Sequence, residues 1–414
     1  GKSTKKQISK SVLIMASMNP GTTEGTGNGE GQHTETPTTV ANIESVELPA
    51  NGNAKETGSG LMAAGPIIVK RRKNLGGALK SNKKTSNNML VAIRIRPLNQ
   101  RELGLRDYDI IRVEDNLLIV LDPVEVELES EKKKSKDVLF RSKEQRYAFD
   151  LIFPQTADQE DIYDKSVSHL ISQVTSGYNA CVFAYGPTGT GKTYTMLGND
   201  ETPGVMVLTV KSLFSFISSQ KNKVFELVVS YVEIYNETIR DLLTVRGNYL
   251  DLRDDPIKGV TLAGVSEIRA ETIDQVMRLL HSGNRRRTTE ATNMNQTSSR
   301  SHAVFQISLV QRDKTMDTEL KYLQGKLSLI DLAGSERGTV SENRGLRLRE
   351  GAKINRSLLA LANCINALGD KSKKGFFVPY RDSKLTRMLK DSLGGNCKTV
   401  MIANVSPASS QFEE

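Results

Sequence analysis

The sequence is short of the residues from which metal centres and disulfide frameworks are built. Its 414 residues hold three cysteines, Cys181, Cys364 and Cys397, far apart and with no C-x-x-C. That excludes a disulfide scaffold and a cysteine zinc site, and fits a reducing compartment. The four histidines, His33, His169, His281 and His302, show no metal-ligand spacing either. No apolar run approaches the ~20 residues a membrane-crossing helix needs. Near the basic N-terminus, Val12-Leu13-Ile14-Met15-Ala16 falls short of the ~7–15 residues of a secretory signal core. Internal repeats and coiled-coil heptads are missing too, so the chain shows no dimerisation region.

What is there divides into two parts. Residues 1–87 are rich in Gly, Thr, Asn and Ser without sustained periodicity, the signature of a disordered leader that buries too little apolar surface to offset its chain entropy. The leader holds 12 Lys/Arg and 6 Asp/Glu, so about +6 of the net charge of +9 resides there. Residues 88–414 are only mildly basic. An anionic partner must therefore be met by a local patch, and nothing marks the chain as a specific nucleic-acid reader. Within the leader, Lys70-Arg71-Arg72-Lys73 suits a basic tethering arm or a nuclear-import patch equally well.

From about Asn88 apolar runs alternate with regular punctuation. Val91–Arg96 reads as a strand ending at Pro97, and 180–185, Phe225–Tyr235, Ala303–Val310, Lys326–Leu332 and Thr399–Val405 as further strands. Gln159–Val174, Thr272–Leu280, Ile354–Leu368 and Leu385–Leu393 read as helices, and Glu237–Leu243 as a short helical turn. Ile354, Leu358, Leu361, Ile365 and Leu368 form a one-sided stripe. Interleaved strands and helices predict an α/β three-layer sandwich, with a mixed, mostly parallel central sheet flanked by helices.

The chemistry begins after the strand 180–185. Gly186-Pro187-Thr188-Gly189-Thr190-Gly191-Lys192-Thr193 is a complete G-x-x-x-x-G-K-[ST] phosphate loop, in the strand–loop–helix context that motif requires. Its glycines let backbone N–H groups face phosphate oxygens, Lys192 adds a charge for the β- and γ-phosphates, and the Thr193 hydroxyl suits magnesium. Asp331 ends an apolar strand, where P-loop enzymes keep a magnesium-side carboxylate, although a capping or turn aspartate would look the same. Gly334 follows it with an unobstructed N–H. Asn295-Gln296-Thr297-Ser298-Ser299-Arg300-Ser301-His302 sets four hydroxyls beside an arginine, suited to ordering around a phosphate and a metal or to a polar loop before a strand. A GTPase would want a guanine-reading N-K-x-D, and Asn82-Lys83 and Asn222-Lys223 lack the Asp.

Taken in order, GPTGTGKT, NQTSSRSH and DLAGSER resemble the phosphate loop and two switches of the kinesin motor domain, across residues 88–414. Arg94-Ile95-Arg96-Pro97, Tyr231–Glu237, Asn355-Arg356-Ser357-Leu358 and Val378–Thr386 are similar to the family as well. The resemblance implies a microtubule-stimulated ATPase with ATP/ADP and Mg2+ as ligands and tubulin as partner, in the cytoplasm on the microtubule cytoskeleton, spindle or axoneme included. It implies that Arg94, Arg96, Pro97 and Tyr194 flank adenine; that Thr193, Ser299 and Asp331 hold magnesium, the last through water; and that Arg300 pairs with Glu336. Glu336 and Ser298 would orient the attacking water, with Lys192 and Gly334 at the phosphates. Track contacts would come from Arg344, Arg347, Arg349, Lys353, Arg356, Arg381, Lys384 and Arg387.

Within the family, Arg285–Val304 with Gln306, and the long loop near 122–145, look most like the kinesin-8 subfamily, whose members walk toward plus ends and in many cases shorten microtubules. Lys132–Lys136 in that loop reads as a second tubulin contact or a solvated loop. Pro187 stands where many kinesins have Gln, removing one N–H from the cradle. The chain stops at Gln411-Phe412-Glu413-Glu414, where kinesins continue with a final helix and neck linker, and so reads as part of a longer motor. A nucleotide-gated microtubule-binding module without productive motility is the alternative, against which Lys192, Thr193, Arg300, Asp331, Gly334 and Glu336 speak.

Overall fold

The computed structural model describes residues 89–115, 117–121, 145–245, 249–255, 259–289, 299–314, 322–335, 346–369, 377–394 and 397–412, with backbone alone for 289 and 346–352. The leader expected over 1–87, the Lys132–Lys136 loop, Ser298, Glu336 and Arg344 lie outside them, as do the side chains of Arg347 and Arg349.

The elements run β1 (Met89–Ile95), α1 (Gln100–Gly104), β2 (Ile111–Glu114), β3 (Leu117–Val120), β4 (Gln145–Ala148), β5 (Leu151–Phe153), α2 (Gln159–Ser166), α3 (Leu170–Thr175) and β6 (Asn179–Tyr185). Then come α4 (Lys192–Leu197), α5 (Val205–Ser219), β7 (Lys223–Tyr235), β8 (Thr238–Asp241), β9 (Tyr249–Asp255), β10 (Gly259–Ala263), β11 (Ile268–Arg269) and α6 (Ile273–Thr289). The rest are β12 (His302–Asp313), β13 (Leu323–Asp331), α7 (Leu346–Gly369), α8 (Lys384–Met388), α9 (Lys390–Leu393) and β14 (Cys397–Val405).

One large sheet carries the fold, in the order β10-β9-β8-β7-β12-β13-β6-β14-β1-β5, with β11 added against β7. Strands β13, β6, β14, β1 and β5 form its parallel block. The pairings from β13 outward through β12, β7, β8, β9 and β10 are antiparallel. A three-stranded sheet, β2-β3-β4, stands apart.

The period-2 pattern of β6 explains the three layers. Ala180, Val182 and Ala184 enter one core with Ile162, Leu170, Val174, Met206, Val210, Leu213, Val276 and Leu280 from α2, α3, α5 and α6. Cys181, Phe183 and Tyr185 face the opposite core, with Ile354, Leu358, Leu361 and Ile365 from α7 and Leu385 and Met388 from α8. A strand buried on both faces reads as a continuous apolar run, as 180–185 does. The apolar stripe of α7 is buried through Ile365, whereas Leu368 is 40% exposed in the last turn.

Three local expectations need correction. The stretch Gln159–Val174 is two helices. The side chains of Ser166 and Ser168 bond back to the carbonyls of Ile162 and Asp164 at 2.5 and 2.7 Å, and the chain breaks over Val167–His169. Glu237–Leu243 is no helical turn. Asn236 and Glu237 sit at φ 54° and 60°, the geometry of a two-residue hairpin turn, so β7 folds straight back into β8. Leu385–Leu393 is divided at Leu389 into α8 and α9.

Candidate nucleotide site and switch region

The phosphate loop leaves β6 at the centre of the parallel block and enters α4. Gly186, Gly189 and Gly191 have φ of 143°, 83° and 91°, angles that L side chains rarely adopt. At Gly186 space is also lacking, since a Cβ would lie 2.2 Å from the Asn404 carbonyl oxygen on β14. Pro187 supplies no N–H, but its carbonyl is the hub of the loop. It accepts from Lys192 Nζ at 2.9 Å and from the Thr190 hydroxyl at 2.8 Å. Lys192 and Thr190 are buried, while Thr188 and Gly189 form the exposed tip.

Beside the loop, Arg94 lies buried at the end of β1. It donates to Gln159 Oε1 and Thr195 Oγ1, both at 2.8 Å, and stands 5.1 Å from the centre of the half-exposed Tyr194 ring. Burial pulls its guanidinium below the ordinary value, partly offset by Tyr194. Arg96 pairs with Glu102 and donates to the Pro97 carbonyl at 2.9 Å. Glu102 also closes the capping box of α1 with Asn99. The Arg96 hydrogen bond holds the Glu102 carboxyl down to about 2. Thus Arg94 and Tyr194 stand together beside the loop, whereas Arg96 is held by Glu102 of α1, and Pro97 and Tyr194 are exposed.

The three motifs interlock. Thr193 Oγ1 donates to Asp331 Oδ2 at 2.7 Å. Ser335 N donates to the Gly186 carbonyl at 3.1 Å, and Gly334 N to the Ser299 carbonyl at 2.7 Å. Asp331 is 1% exposed, and its charge is met by Arg287, which is wholly buried. Arg287 Nη1 reaches Asp331 Oδ2 at 2.6 Å, Nη2 the Ser301 carbonyl at 2.7 Å, and Nε the Ser301 hydroxyl at 3.2 Å. Burial opposes the Arg287 charge, but Asp331 and Tyr231 outweigh it and hold the guanidinium above its ordinary value. Asp331 Oδ1 is buried with no hydrogen-bond partner among the described residues. The Thr193 hydroxyl and the unpaired carboxylate oxygen of Asp331 are hard-oxygen donors of the kind magnesium takes.

Arg287 was not legible as a site residue. In sequence it is one of three consecutive arginines, Arg285-Arg286-Arg287, beyond the helix expected over Thr272–Leu280, and nothing sets it apart from its neighbours. Of the three, Arg285 is exposed and Arg286 donates to the Leu242 carbonyl at 2.6 Å.

Among the described residues, the expected track residues are Lys353 and Arg356 of α7 and Arg381, Lys384 and Arg387 of the segment that follows. Lys353, Arg356 and Arg381 are exposed, and Lys384 is half-buried. Arg387 is held 3.4 Å from Asp254 of β9. Glu237, in the β7–β8 turn, accepts from the backbone N of Lys384 at 2.8 Å and so fixes the start of α8.

A glycine-lined loop between β6 and α4, a neighbouring parallel strand ending in a carboxylate that touches the loop threonine, and glycine N–H contacts between segments define a P-loop nucleoside triphosphatase. Residues 94–414 match the kinesin motor domain, and the chain belongs to the kinesin family. It is 50% identical over 330 residues to the kinesin-like protein KIF19 of Homo sapiens, covering 79% of this chain and 32% of that protein. It is 48% identical over 336 residues to KIN-8B of Arabidopsis thaliana, covering 80% and 39%. Its likeness is thus to the kinesin-8 subfamily. The chain spans about a third of the length of these curated relatives. Among solved structures, a fast kinesin superposes with a TM-score of 0.68 at 37% identity, covering 79% of this chain and 88% of that one. KIF14 with ADP, in complex with a microtubule, superposes with a TM-score of 0.68 at 35% identity, covering 78% and 91%.

Proposed function

We propose that this chain is the ATP-hydrolysing, microtubule-stimulated engine of a kinesin-8-like motor. The observation that carries the reading is the bond from Gly334 N–H to the Ser299 carbonyl. A backbone N–H is one donor. Gly334 serves either Ser299 or a phosphate oxygen, so the presence of the terminal phosphate changes how the two switch segments hold each other. Lys192, Gly189 and Gly191 favour the phosphates, and Tyr194 with Arg94, Arg96 and Pro97 favours the adenine. Thr193 and Ser299 would hold magnesium directly and Asp331 through water; bound there, the ion would neutralise charge on the phosphates. Glu336 and Ser298 orient the attacking water, and Arg300 closes against Glu336.

The partner follows from α7. Lys353 and Arg356 stand exposed on the helix that leaves the second switch, with Arg381 and Lys384 beside it, and Arg344, Arg347, Arg349 and Arg387 extend the set. Cations placed directly downstream of a phosphate sensor suit an acidic track, and the structure of KIF14 on a microtubule supports that partner. By the same reasoning the protein works on the microtubule cytoskeleton, and plus-end-directed travel with shortening of microtubule ends is its expected output.

The deciding experiment measures phosphate release with and without microtubules, alongside tubulin release from stabilised microtubules. Stimulation by microtubules is expected. No stimulation, with nucleotide still bound, would leave only a nucleotide-gated binding module. Stimulation without shortening would keep the motor and remove the depolymerase. Glu336→Ala should keep ATP binding and lose hydrolysis; near-normal turnover would remove that residue's role.

A further inference from the structure

His302 is the first residue of β12 and the last of the first switch motif. It is 3% exposed, and both of its ring nitrogens are used. Nδ1 lies 3.0 Å from the backbone N of Ala333, which is only a donor, so Nδ1 must accept. The ring proton therefore sits on Nε2, 2.8 Å from the Ser357 hydroxyl on α7. That hydroxyl in turn donates to the Ile354 carbonyl at 2.7 Å. Donors and acceptors thus run in one direction: Ala333 N–H to His302, His302 to Ser357, Ser357 to the backbone of α7.

The chain of bonds starts beside the phosphate sensor. Ala333 N–H is held by His302 while the next N–H, that of Gly334, is held by Ser299, three residues before His302. Two successive peptides of the second switch are thereby tied to the two ends of one short stretch of the first. Gly334 cannot turn toward a phosphate without moving the peptide it shares with Ala333, and Ala333 bears on the imidazole.

We infer that His302 is a positioning residue that carries the state of the Gly334 N–H to the long helix α7 through Ser357. The inference rests on the functional reading above and supplies the physical link between its nucleotide site and its track surface. His302 does not touch the phosphates, and its part is geometric. It acts as a strut of fixed length and fixed tautomer between Ala333 and the helix turn at Ile354–Ser357, from which Lys353 and Arg356 project. The ring stays neutral. Burial, with Arg287 of α6 and Lys192 of α4 nearby, pushes it down to about 3, and a second ring proton would face the Ala333 N–H. An ordinary core histidine would share the burial, but it would not join a switch peptide to a second element by both nitrogens.

Hydrogen exchange across 346–369 tests this in the full chain without microtubules, comparing ADP with a non-hydrolysable ATP analogue. Wild type should show a nucleotide-dependent change in α7 of roughly threefold or more in exchange rate. Ser357→Ala removes the far acceptor, and His302→Asn keeps an acceptor for Ala333 while failing to reach Ser357. Each should shrink that difference to about a third or less, and the double variant should fall no further than the worse single one, because the two residues act as one unit. Nucleotide affinity of Ser357→Ala should stay within about twofold of wild type, which a general loosening of the site would not allow. An α7 that ignores nucleotide in wild type, a Ser357→Ala with the full wild-type difference, or additive effects in the double variant would each overturn the inference. Should the variants fail to fold, 15N spectra of wild-type histidines decide. A signal with the proton on Nε2, unchanged between about pH 5.5 and 8.5, is expected for His302. A proton on Nδ1, or titration in that range, overturns it. Because exchange is read without microtubules, a motor that proves unstimulated by them fails separately from this link.

Discussion

Replacing Arg287 by methionine is the sharpest test of how the site is held. The side chain keeps much of its length but loses the charge that faces Asp331 at 2.6 Å and the two bonds to Ser301. Asp331 would be left 1% exposed, with the Thr193 hydroxyl as its remaining listener among the described residues. Removing one partner of a buried pair costs about 3–5 kcal/mol, because the surviving charge has neither water nor counterion. Unfolding entropy is about 2.1 cal/mol/K per residue. Over the matched stretch 94–414 that makes about 0.7 kcal/mol/K, so the melting temperature should drop by ~4–8 °C. Adding Asp331→Asn to the variant should recover at least about 1 kcal/mol, since neither charge of the pair then remains. Calorimetry or denaturant melts read both effects. A loss of Arg287→Met below about 1 kcal/mol, or no recovery in the double variant, would refute the account of Arg287 as the counterion of Asp331.

Other changes are equally specific. Gly283→Ala should destabilise by about 1–3 kcal/mol in a denaturant melt, because the new Cβ would stand 2.3 Å from the buried Tyr231 ring; wild-type stability would mean that α6 shifts freely over β7. Glu102, held down to about 2, stabilises the fold above its unfolded value of about 4.3 and stops doing so as the pH falls through 2. Glu102→Gln should therefore flatten the acid limb of a stability–pH curve between those values, and an unchanged limb would remove the Arg96 pair from the account. Neutralising Lys353 and Arg356, both exposed, should weaken microtubule binding at low salt and matter little near 0.5 M, where charges are screened within a few ångströms. A loss independent of salt would point to packing instead.

The nucleotide motif and the three-layer plan were readable from residue pattern because each has a local cause. Glycines at 186, 189 and 191 mark backbone angles, and the unbroken apolar run 180–185 marks a strand covered on both faces. Arg287 was not readable, since burial of one arginine among three depends on where α6 settles against β12 and β13. The link from His302 to Ser357 was hidden for the same reason: the two residues are 55 positions apart and meet only when α7 packs on the sheet. The hairpin at Asn236-Glu237 lacked the Asn-Gly pair that usually signals such a turn, so β8 passed for a helical turn. Helix α5 confines its exposed polar face to Lys211, Ser215, Ser218 and Ser219, while its first half, with Val205, Met206, Val207 and Val210 all buried, is apolar all round and carries no one-sided stripe.

The place of β14 bears on how the protein is made. Among the described strands of the sheet, residues 397–405 come last in chain order, yet they lie between β6 and β1, with Val91 opposite Met401 and Met401 opposite Phe183. Until they leave the ribosome, the strand that bears the phosphate loop and the strand that bears Arg94 each have an unpaired edge at the centre of the future sheet. The Gly186 backbone also lacks the Asn404 carbonyl against which it packs. A nascent chain ending before Cys397 should therefore bind no nucleotide and depend on chaperones to cover its open strands. Completion of the sheet waits on contacts spanning some 310 positions, as between Arg94 and Asn404, and ATP can act as a folding ligand only after that final strand has been inserted.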